Sequence, residues 1–333
     1  MRSTVLLPLA ILGICTLHRV DSEGWSYGGN NGLDWGSDAN HPYCTDGDYS
    51  HQSPIDIQTS ETVLNDKLEP FAFSNHWNLP VTHGELVNNG HTYQFNDNDG
   101  IRTVSGGGLE GAYTLLQFHF HFGSTNSQVG SEHTIDGGHY PAEIHFVMYN
   151  AKVEADLLGR LAVLGFFIDV SDTTDDTFLG EILLSIRNDV KTAAAGDRID
   201  LNNTIDLSTL PETAGLDQYF RYTGSLTTPP CSPVVIWTVF HSPLLISQNQ
   251  YNSLLGGTDE EGEVIENNFR IAMPVNDRIV YHSPGTVGAA EEKRQGWKYA
   301  VTAIGAALGG IVLCTLVAAV VMLVMKHKKT EAT

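Results

Sequence analysis

Positive charge is scarce in this sequence. Its 333 residues include 18 lysines and arginines against 39 aspartates and glutamates, which gives a formal net charge of −21 at pH 7. Nucleic acids and anionic lipid surfaces attract basic proteins, so this excess of acid argues against either as a binding partner. Apolar residues make up 41% of the chain, which is enough to form one large globular domain.

Long apolar runs are confined to the two ends of the chain. The first run, residues 5–15, follows Arg2 and is too short to span a bilayer. It has the length and the basic flank of the apolar part of a signal peptide. We therefore predict a signal peptide over residues 1–22, with cleavage between Cys15 and Ser22.

The second run, residues 299–325, has no charged side chain and is long enough to cross the ~30 Å core of a bilayer. Trp297 and Tyr299 suit the outer interface, and the lysines within residues 326–329 suit the inner one. This pattern predicts a single-pass plasma-membrane protein of type I with its large domain outside the cell. Small residues at 283–290 leave a lipid anchor as the alternative.

These segments give a predicted domain organisation. It comprises a signal peptide (1–22), an extracellular domain (23–285), a juxtamembrane stalk (286–298), a transmembrane helix (299–325) and a cytoplasmic tail (326–333). The Gly305-x-x-x-Gly309 pattern in the transmembrane segment is one through which two such helices pair, which makes a homodimer an expected partner arrangement. Asn202-Asn203-Thr204 is a glycosylation sequon, so Asn202 is predicted to lie on the surface.

Cysteine is also rare, with four in the chain. Cys15 and Cys314 fall in the two apolar runs, which leaves Cys44 and Cys231 in the predicted extracellular domain. Since an even pair of cysteines in a secreted domain is usually oxidised, we predict one disulfide between them.

The middle of the chain consists of short apolar runs separated by turn signals. Residues 161–168 and 234–240 are apolar and rich in β-branched and aromatic side chains, which is typical of buried strands. Apolar residues recur at helical spacing from Leu179 to Val190, where we predict a packed helix. The pattern predicts a mainly β domain with few helices.

The stretch from Gln117 to Val147 contains the strongest chemical signal. Alternate side chains of a strand share a face, so Gln117, His119 and His121 point one way while the phenylalanines beside them point the other. In a second strand the same alternation places Glu143, His145 and Val147 on one face. If the two strands are neighbours in a sheet, the three imidazoles meet.

Three neutral imidazoles leave the fourth tetrahedral position of a zinc ion open. Gln117 and Glu143 each precede a histidine by two residues, where they can accept the ring N–H that faces away from the metal. A lone His-x-His pair is more often two half-exposed histidines, but the third histidine and the aromatic backing favour a metal site. A cupin-like site would need a glutamate where Ser124 and Thr125 stand, which excludes it.

Four motifs resemble those of the α-class carbonic anhydrases. They are Gln117-Phe118-His119-Phe120-His121, Ser131-Glu132-His133-Thr134, Ala142-Glu143-Ile144-His145 and Ser225-Leu226-Thr227-Thr228-Pro229-Pro230. The resemblance extends over about residues 25–283. It implies a large, twisted, mostly antiparallel sheet with peripheral helices, a zinc cofactor, and the reversible hydration of carbon dioxide to bicarbonate.

The resemblance also implies roles for individual residues. Thr227 matches the hydroxyl that orients the zinc-bound hydroxide, and Glu132 matches the carboxylate that accepts a hydrogen bond from that hydroxyl. His91 matches a proton relay, a task suited to an imidazole with a pKa of about 6.5. Asn268 matches a residue whose backbone supports His121. Five positions match substrate contacts of the family. One is Thr228, and the other four form an apolar wall, namely Val147, Val163, Leu226 and Trp237.

Two classes of function follow from these motifs. The first is an active enzyme at the cell surface, and the second is a catalytically weak ectodomain of the same fold that serves as a binding module. Non-catalytic relatives typically lose one or more of the zinc ligands. This chain keeps all three histidines together with Thr227, Glu132 and His91, which favours the enzyme.

Overall fold

The computed structural model describes the large domain in seven segments, namely residues 25–38, 40–45, 50–171, 177–186, 195–201, 205–212 and 215–286. The predicted signal peptide, transmembrane helix and tail, and the sequon at Asn202, lie outside these residues and stay predictions. Within the seven segments, no helix is both long enough and apolar enough to span a membrane.

Strands dominate the described residues. In chain order they are β1 (Asp56–Ile57), β2 (Val63–Leu64), β3 (Phe71–Phe73), β4 (Gly84–Asn88), β5 (Tyr93–Asp97), β6 (Thr103–Gly106), β7 (Tyr113–Phe122), β8 (Thr134–Ile135), β9 (Ala142–Tyr149), β10 (Leu161–Val170), β11 (Arg198–Asp200), β12 (Tyr219–Gly224), β13 (Val235–Ile246) and β14 (Tyr281–His282). The runs predicted to be buried strands at 161–168 and 234–240 fall in β10 and β13.

Helices are few and short in the same residues. The α-helices are α1 (Thr177–Ser185) and α2 (Gln248–Tyr251), and the 3-10 helices are Gly28–Asn30, Trp35–Ser37, Pro42–Cys44, Thr59–Glu61, Asn75–Asn78 and Leu210–Glu212. The helix expected between Leu179 and Val190 overlaps α1, which begins at Thr177, and residues 187–190 lie outside the described residues. The prediction of a mainly β domain with few helices is confirmed.

Twelve of the strands form one sheet. Its main path runs β11-β4-β5-β7-β9-β10-β13-β12-β14-β2, with β6 pairing to β7 and β3 to β6. Most pairs are antiparallel, whereas β10–β13 and β14–β2 are parallel. Strands β1 and β8 form a separate parallel pair. The large sheet predicted from the resemblance is therefore present, and the histidine strands β7 and β9 are neighbours near its middle.

The central strands are buried on both faces, which explains why their sequences are almost continuously apolar. Phe146 and Phe166 pack in the larger core on one face, while Val147 and Val163 pack in a second core on the other. Phe166 also stacks on Phe240 with ring centroids 4.2 Å apart. Each such phenylalanine stabilises the fold by about 1.5–3 kcal/mol relative to an exposed side chain. Two aromatic and aliphatic cores thus hold the histidine strands rigidly.

Strand β7 contains one irregularity. Its pairing with β9 shifts between Leu115 and Gln117, so that Leu116 is an extra residue of the β-bulge type. Before the shift Leu115 faces the larger core, and after it Phe118 and the following even-numbered phenylalanines do. The bulge therefore lets both halves of the strand bury apolar side chains while Gln117 and the histidines face the other way.

The predicted disulfide between Cys44 and Cys231 is confirmed. It joins residues 187 positions apart. Both cysteines are buried beside Trp35, with Trp25 and Tyr27 packed against them. The segment that contains Trp25, Tyr27, Trp35 and Cys44, which we call the amino-terminal arm, is thereby fixed against the turn that follows Thr227 and Thr228.

Candidate metal centre

Strand register builds the metal centre. His119 of β7 lies directly opposite His145 of β9, and His121 lies opposite Glu143. Directly opposed residues of an antiparallel pair share a face, so all three imidazoles project to the same side. Each offers a ring nitrogen, and these atoms lie within 4.8 Å of one another.

The second nitrogen of each ring is already engaged. Nδ1 of His119 donates to Oε1 of Gln117 at 2.9 Å, and Nδ1 of His121 donates to the carbonyl oxygen of Asn268 at 2.8 Å. Nε2 of His145 donates to Oε1 of Glu143 at 2.7 Å. Because each partner is an acceptor, each engaged nitrogen carries the proton. The lone pairs left for a metal are therefore those of Nε2 of His119, Nε2 of His121 and Nδ1 of His145.

Electrostatics keeps these rings neutral. Burial is the main reason that the pKa of His119 lies well below 6.5, that of His121 falls to about 3, and that of His145 is also lowered. Nε2 of His121 is buried without a hydrogen-bond partner among the described residues, which costs free energy unless something else binds it. A divalent cation held by three neutral imidazoles meets this need, so the residues fit zinc.

Glu143 holds the centre together from behind. Its Oε1 accepts hydrogen bonds from Nε2 of His145 and Nδ1 of His133, both at 2.7 Å. Its Oε2 accepts from the backbone N–H groups of Glu132 and His133 at 2.9 and 2.8 Å. Burial raises the pKa of this carboxyl, but the imidazoles of His133 and His145 lower it by more than burial raises it. The pKa of Glu143 therefore lies well below its usual range. Glu143 is therefore the charged anchor of one ligand and of the Glu132 backbone.

Gly165 makes room for this carboxylate. It lies opposite His145 in the pairing of β9 with β10. A Cβ atom here would lie 3.1 Å from Oε1 of Glu143 and 3.5 Å from the His145 ring. An alanine at this position would therefore crowd the Glu143 carboxylate, while its contact with the His145 ring would be an ordinary one.

His133 extends the network, and sequence reasoning gave it no role. Its Nε2 lies 2.7 Å from the Tyr222 hydroxyl, which donates to Oγ of Ser53 at 2.9 Å. Ser53 in turn accepts from the backbone N–H of Ser225, just before Leu226 and Thr227. The only sequence signal was the position of His133 beside Glu132, because its partners lie far away along the chain.

Glu132 stands beside the free nitrogens. It is fully buried, and its Oε2 lies 3.4 Å from Nε2 of His121 and 3.9 Å from Nδ1 of His145. Its Oε1 accepts from the backbone N–H of Arg270 at 2.8 Å. Burial raises the pKa of Glu132 well above its usual range, while the Arg270 N–H and the Thr227 side chain lower it. A cation at the imidazoles would further favour the ionised form.

Thr227 is placed by the turn after β12. It is buried, and its side chain acts on the Glu132 carboxylate as a hydrogen-bond donor. Oε2 of Glu132 is buried and has no hydrogen-bond partner among the described residues. Thr228 follows at the same turn, and its carbonyl accepts from the N–H of Cys231 at 2.8 Å.

The predicted apolar wall lies on the same face as the histidines. Val147 pairs with Val163 across β9 and β10, and Val163 pairs with Trp237 across β10 and β13. These three side chains belong to one core cluster, against which Leu226 packs. The Trp237 ring also lies 4.8 Å from that of His145, centroid to centroid. The four residues therefore form one surface beside the metal centre.

His91 lies on the turn between β4 and β5. Its ring stacks on Trp25 of the amino-terminal arm, with centroids 3.8 Å apart and planes 16° from parallel. Nδ2 of Asn268 donates to the His91 carbonyl at 2.9 Å, while the Asn268 carbonyl holds His121. Asn268 thus ties the turn of the predicted relay to a metal ligand, and Trp25 is a contact that the sequence did not reveal.

Fold and site together define a class of protein: a β-sheet protein whose three histidines could hold a metal ion beside a hydroxyl–carboxylate pair. Residues 30–284 match the family model described as eukaryotic-type carbonic anhydrase. The chain belongs to this family, of the α-class, as the sequence motifs predicted.

Known relatives cover most of the chain. Carbonic anhydrase 7 of Homo sapiens is 35% identical over 272 residues, which is 78% of this chain and 96% of that protein. The same-named protein of Mus musculus is 35% identical over 271 residues, or 77% and 96%. A putative carbonic anhydrase 3 of Caenorhabditis elegans is 34% identical over 236 residues, or 70% and 89%.

Replacing Glu143 by glutamine should weaken zinc binding by about 10- to 100-fold, the usual effect of losing a partner of a metal ligand. The neutral amide presents N–H groups where His133, His145 and two backbone amides need acceptors. The measurement is a chelator-competition titration of the metal-free protein. Glu85→Gln, which alters a carboxylate paired with Arg198, is the control. Equal affinities in the two variants would contradict the anchoring role.

Proposed function

We propose that this protein catalyses the reversible hydration of carbon dioxide to bicarbonate and a proton. The observation that carries the proposal is the convergence of three unprotonated nitrogens, on His119, His121 and His145, whose other ring nitrogens are all engaged. This is the ligand set of a zinc site with an open position. In carbonic anhydrases, zinc lowers the pKa of its water ligand to about 7, a known property of the family that supplies a nucleophile at neutral pH.

Glu132 and Thr227 orient what binds at the open position. A cation at the imidazoles would favour the ionised form of Glu132 over the protonated form that burial favours. The ionised carboxylate only accepts hydrogen bonds, so the Thr227 hydroxyl would have to point its proton towards it. The lone pairs of that hydroxyl are then available to accept a hydrogen bond from a group at the metal position. Only one orientation of that group satisfies Thr227, and fixing the orientation reduces the entropy lost on reaching the transition state.

The apolar wall suits the substrate. Carbon dioxide carries no charge and gains little from hydrogen bonds. A surface formed by Val147, Val163 and Trp237, with Leu226 beside it, can hold it without competing polar groups. Thr228, next to Thr227, is the polar residue proposed to contact substrate at the edge of this surface.

His91 is proposed to carry the product proton to buffer. Its ring is partly exposed and lies on a turn that Asn268 links to the strand of His121. An imidazole titrates between pH 5 and 8, so it can both take up and release a proton under physiological conditions. Its stack on Trp25 gives the ring a resting position on the amino-terminal arm.

We also propose that the domain works outside the cell and is held there by a helix at residues 299–325, with residues 326–333 in the cytoplasm. The disulfide of Cys44 and Cys231 supports an oxidising compartment. The uncharged run followed by lysines supports a spanning helix over a lipid anchor. Pairing of two such helices through Gly305 and Gly309 belongs to the same proposal.

The function is tested by stopped-flow hydration of carbon dioxide with the full-length protein, together with its zinc content. Wild type should bind one zinc and accelerate hydration. His145→Ala should lose zinc affinity by orders of magnitude, and activity with it, because two imidazoles no longer complete the site. A wild-type protein that binds zinc but does not hydrate carbon dioxide would instead support the binding module.

Replacing His91 by alanine should lower kcat by about 10- to 100-fold. A positioned acid–base group typically contributes about 10²- to 10⁴-fold, so this expected loss reaches only the lower end of that range. The ratio kcat/KM should stay within about twofold, because only proton export is impaired. Imidazole buffer should restore part of kcat. His83→Ala, an exposed histidine paired with Asp99, is the control. A matching fall in kcat/KM would remove His91 from the relay.

The membrane proposal is tested with an epitope tag fused after Thr333. The tag should remain on the mature protein and be protected from protease added outside intact cells. Treatment with a phosphatidylinositol-specific phospholipase should release no activity. Loss of the tag combined with such release would show a lipid anchor instead.

A further inference from the structure

Arg270 is a fully buried arginine whose guanidinium lies at a junction of three chain segments. Nη1 donates to Oε1 of Gln52 at 2.7 Å and to the Ser53 carbonyl at 2.9 Å. Nη2 donates to the Cys44 carbonyl at 2.9 Å. The group also lies over the Trp35 ring, 5.5 Å from its centroid. Burying a charge is costly unless it is hydrogen-bonded, so these contacts constrain the position of the guanidinium closely.

The same residue holds Glu132 through its backbone. The Arg270 N–H donates to Oε1 of Glu132 at 2.8 Å, and Oε2 of that carboxylate faces the free nitrogens of His121 and His145. Any shift of the Arg270 backbone would therefore rotate or displace the carboxylate on which Thr227 depends.

The guanidinium is linked to both ends of the disulfide. It contacts Cys44 directly, and it reaches Cys231 through Gln52, whose Nε2 donates to the Cys231 carbonyl at 3.2 Å. Cys231 in turn donates its N–H to the carbonyl of Thr228. Gln52 is itself fully buried. A continuous set of contacts therefore connects the disulfide, the turn bearing Thr227 and the position of Glu132.

We propose that Arg270 is a positioning residue that transmits the rigidity of the Cys44–Cys231 disulfide to Glu132. Its planar guanidinium donates in several fixed directions at once, which the single ammonium of lysine does not reproduce. The catalytic consequence of this inference rests on the proposed function. The positioning itself does not, because it is a property of the protein without metal.

The test compares Arg270→Lys with Arg102→Lys in the full-length protein. Arg102 is also fully buried, but it pairs with Asp97 and Asp99, outside the contacts just described. Arg270→Lys should lower kcat/KM for hydration by about 10- to 100-fold at unchanged zinc content, the range typical of residues that orient a metal site. Arg102→Lys should lower the melting temperature and leave kcat/KM within twofold of wild type.

A second readout needs neither zinc nor activity. In the metal-free protein, hydrogen exchange of the backbone amide at position 270 should be faster in Arg270→Lys than in wild type or in Arg102→Lys. A double-mutant cycle with Cys44→Ser/Cys231→Ser should be non-additive in kcat/KM, because both changes loosen the same contacts. If Arg270→Lys does not fold, Gln52→Met replaces it, with an expected fall in kcat/KM of about three- to tenfold.

The outcomes separate this inference from the proposed function. Unchanged kcat/KM in Arg270→Lys, or an equal fall in Arg102→Lys, would overturn the positioning role. An inactive wild type would refute the proposed function, and exchange of the residue 270 amide would then decide the inference alone. Unchanged exchange would overturn it.

Discussion

The site depends above all on one buried negative charge, that of Glu143. Four donors converge on its two oxygens: the rings of His133 and His145 and the backbone N–H groups of Glu132 and His133. A carboxylate with so many donors stays ionised even though it is buried. Its charge fixes which nitrogen of His145 faces the metal position, and its second oxygen places Glu132. Ligand geometry and carboxylate geometry are therefore set by a single side chain.

Much of this could be predicted from the sequence because it depends on local periodicity. Alternation along β7 was enough to place Gln117, His119 and His121 on one face of that strand, and alternation along β9 placed Glu143 and His145 on one face of the other. A residue two positions away on a strand always shares that face, so the partners of His119 and His145 were predictable as well. The continuous apolar run of β10 likewise predicted a strand that is buried on both faces, because side chains on both faces of that strand are apolar.

Contacts between distant segments could not be predicted in this way. Nothing near His133 in the chain indicates that Tyr222 and Ser53 complete its hydrogen bonds. Likewise, Arg270 meets Gln52 and Cys44 only because the sheet brings the amino-terminal arm back over the site. Such contacts require the strand order, which periodicity does not provide. The disulfide was predictable only because few cysteines were available to pair.

The bulge in β7 has a consequence for how this domain tolerates changes in length. Leu116 is the extra residue, and the side chains on either side of it already occupy their correct faces. Its deletion would leave a regular strand with every neighbouring side chain on its present face. Deleting or inserting one residue between Gln117 and His121 would instead move histidines into the phenylalanine core. The strand can therefore lose one residue at Leu116 without moving any other side chain to the opposite face, but not within the histidine segment that follows.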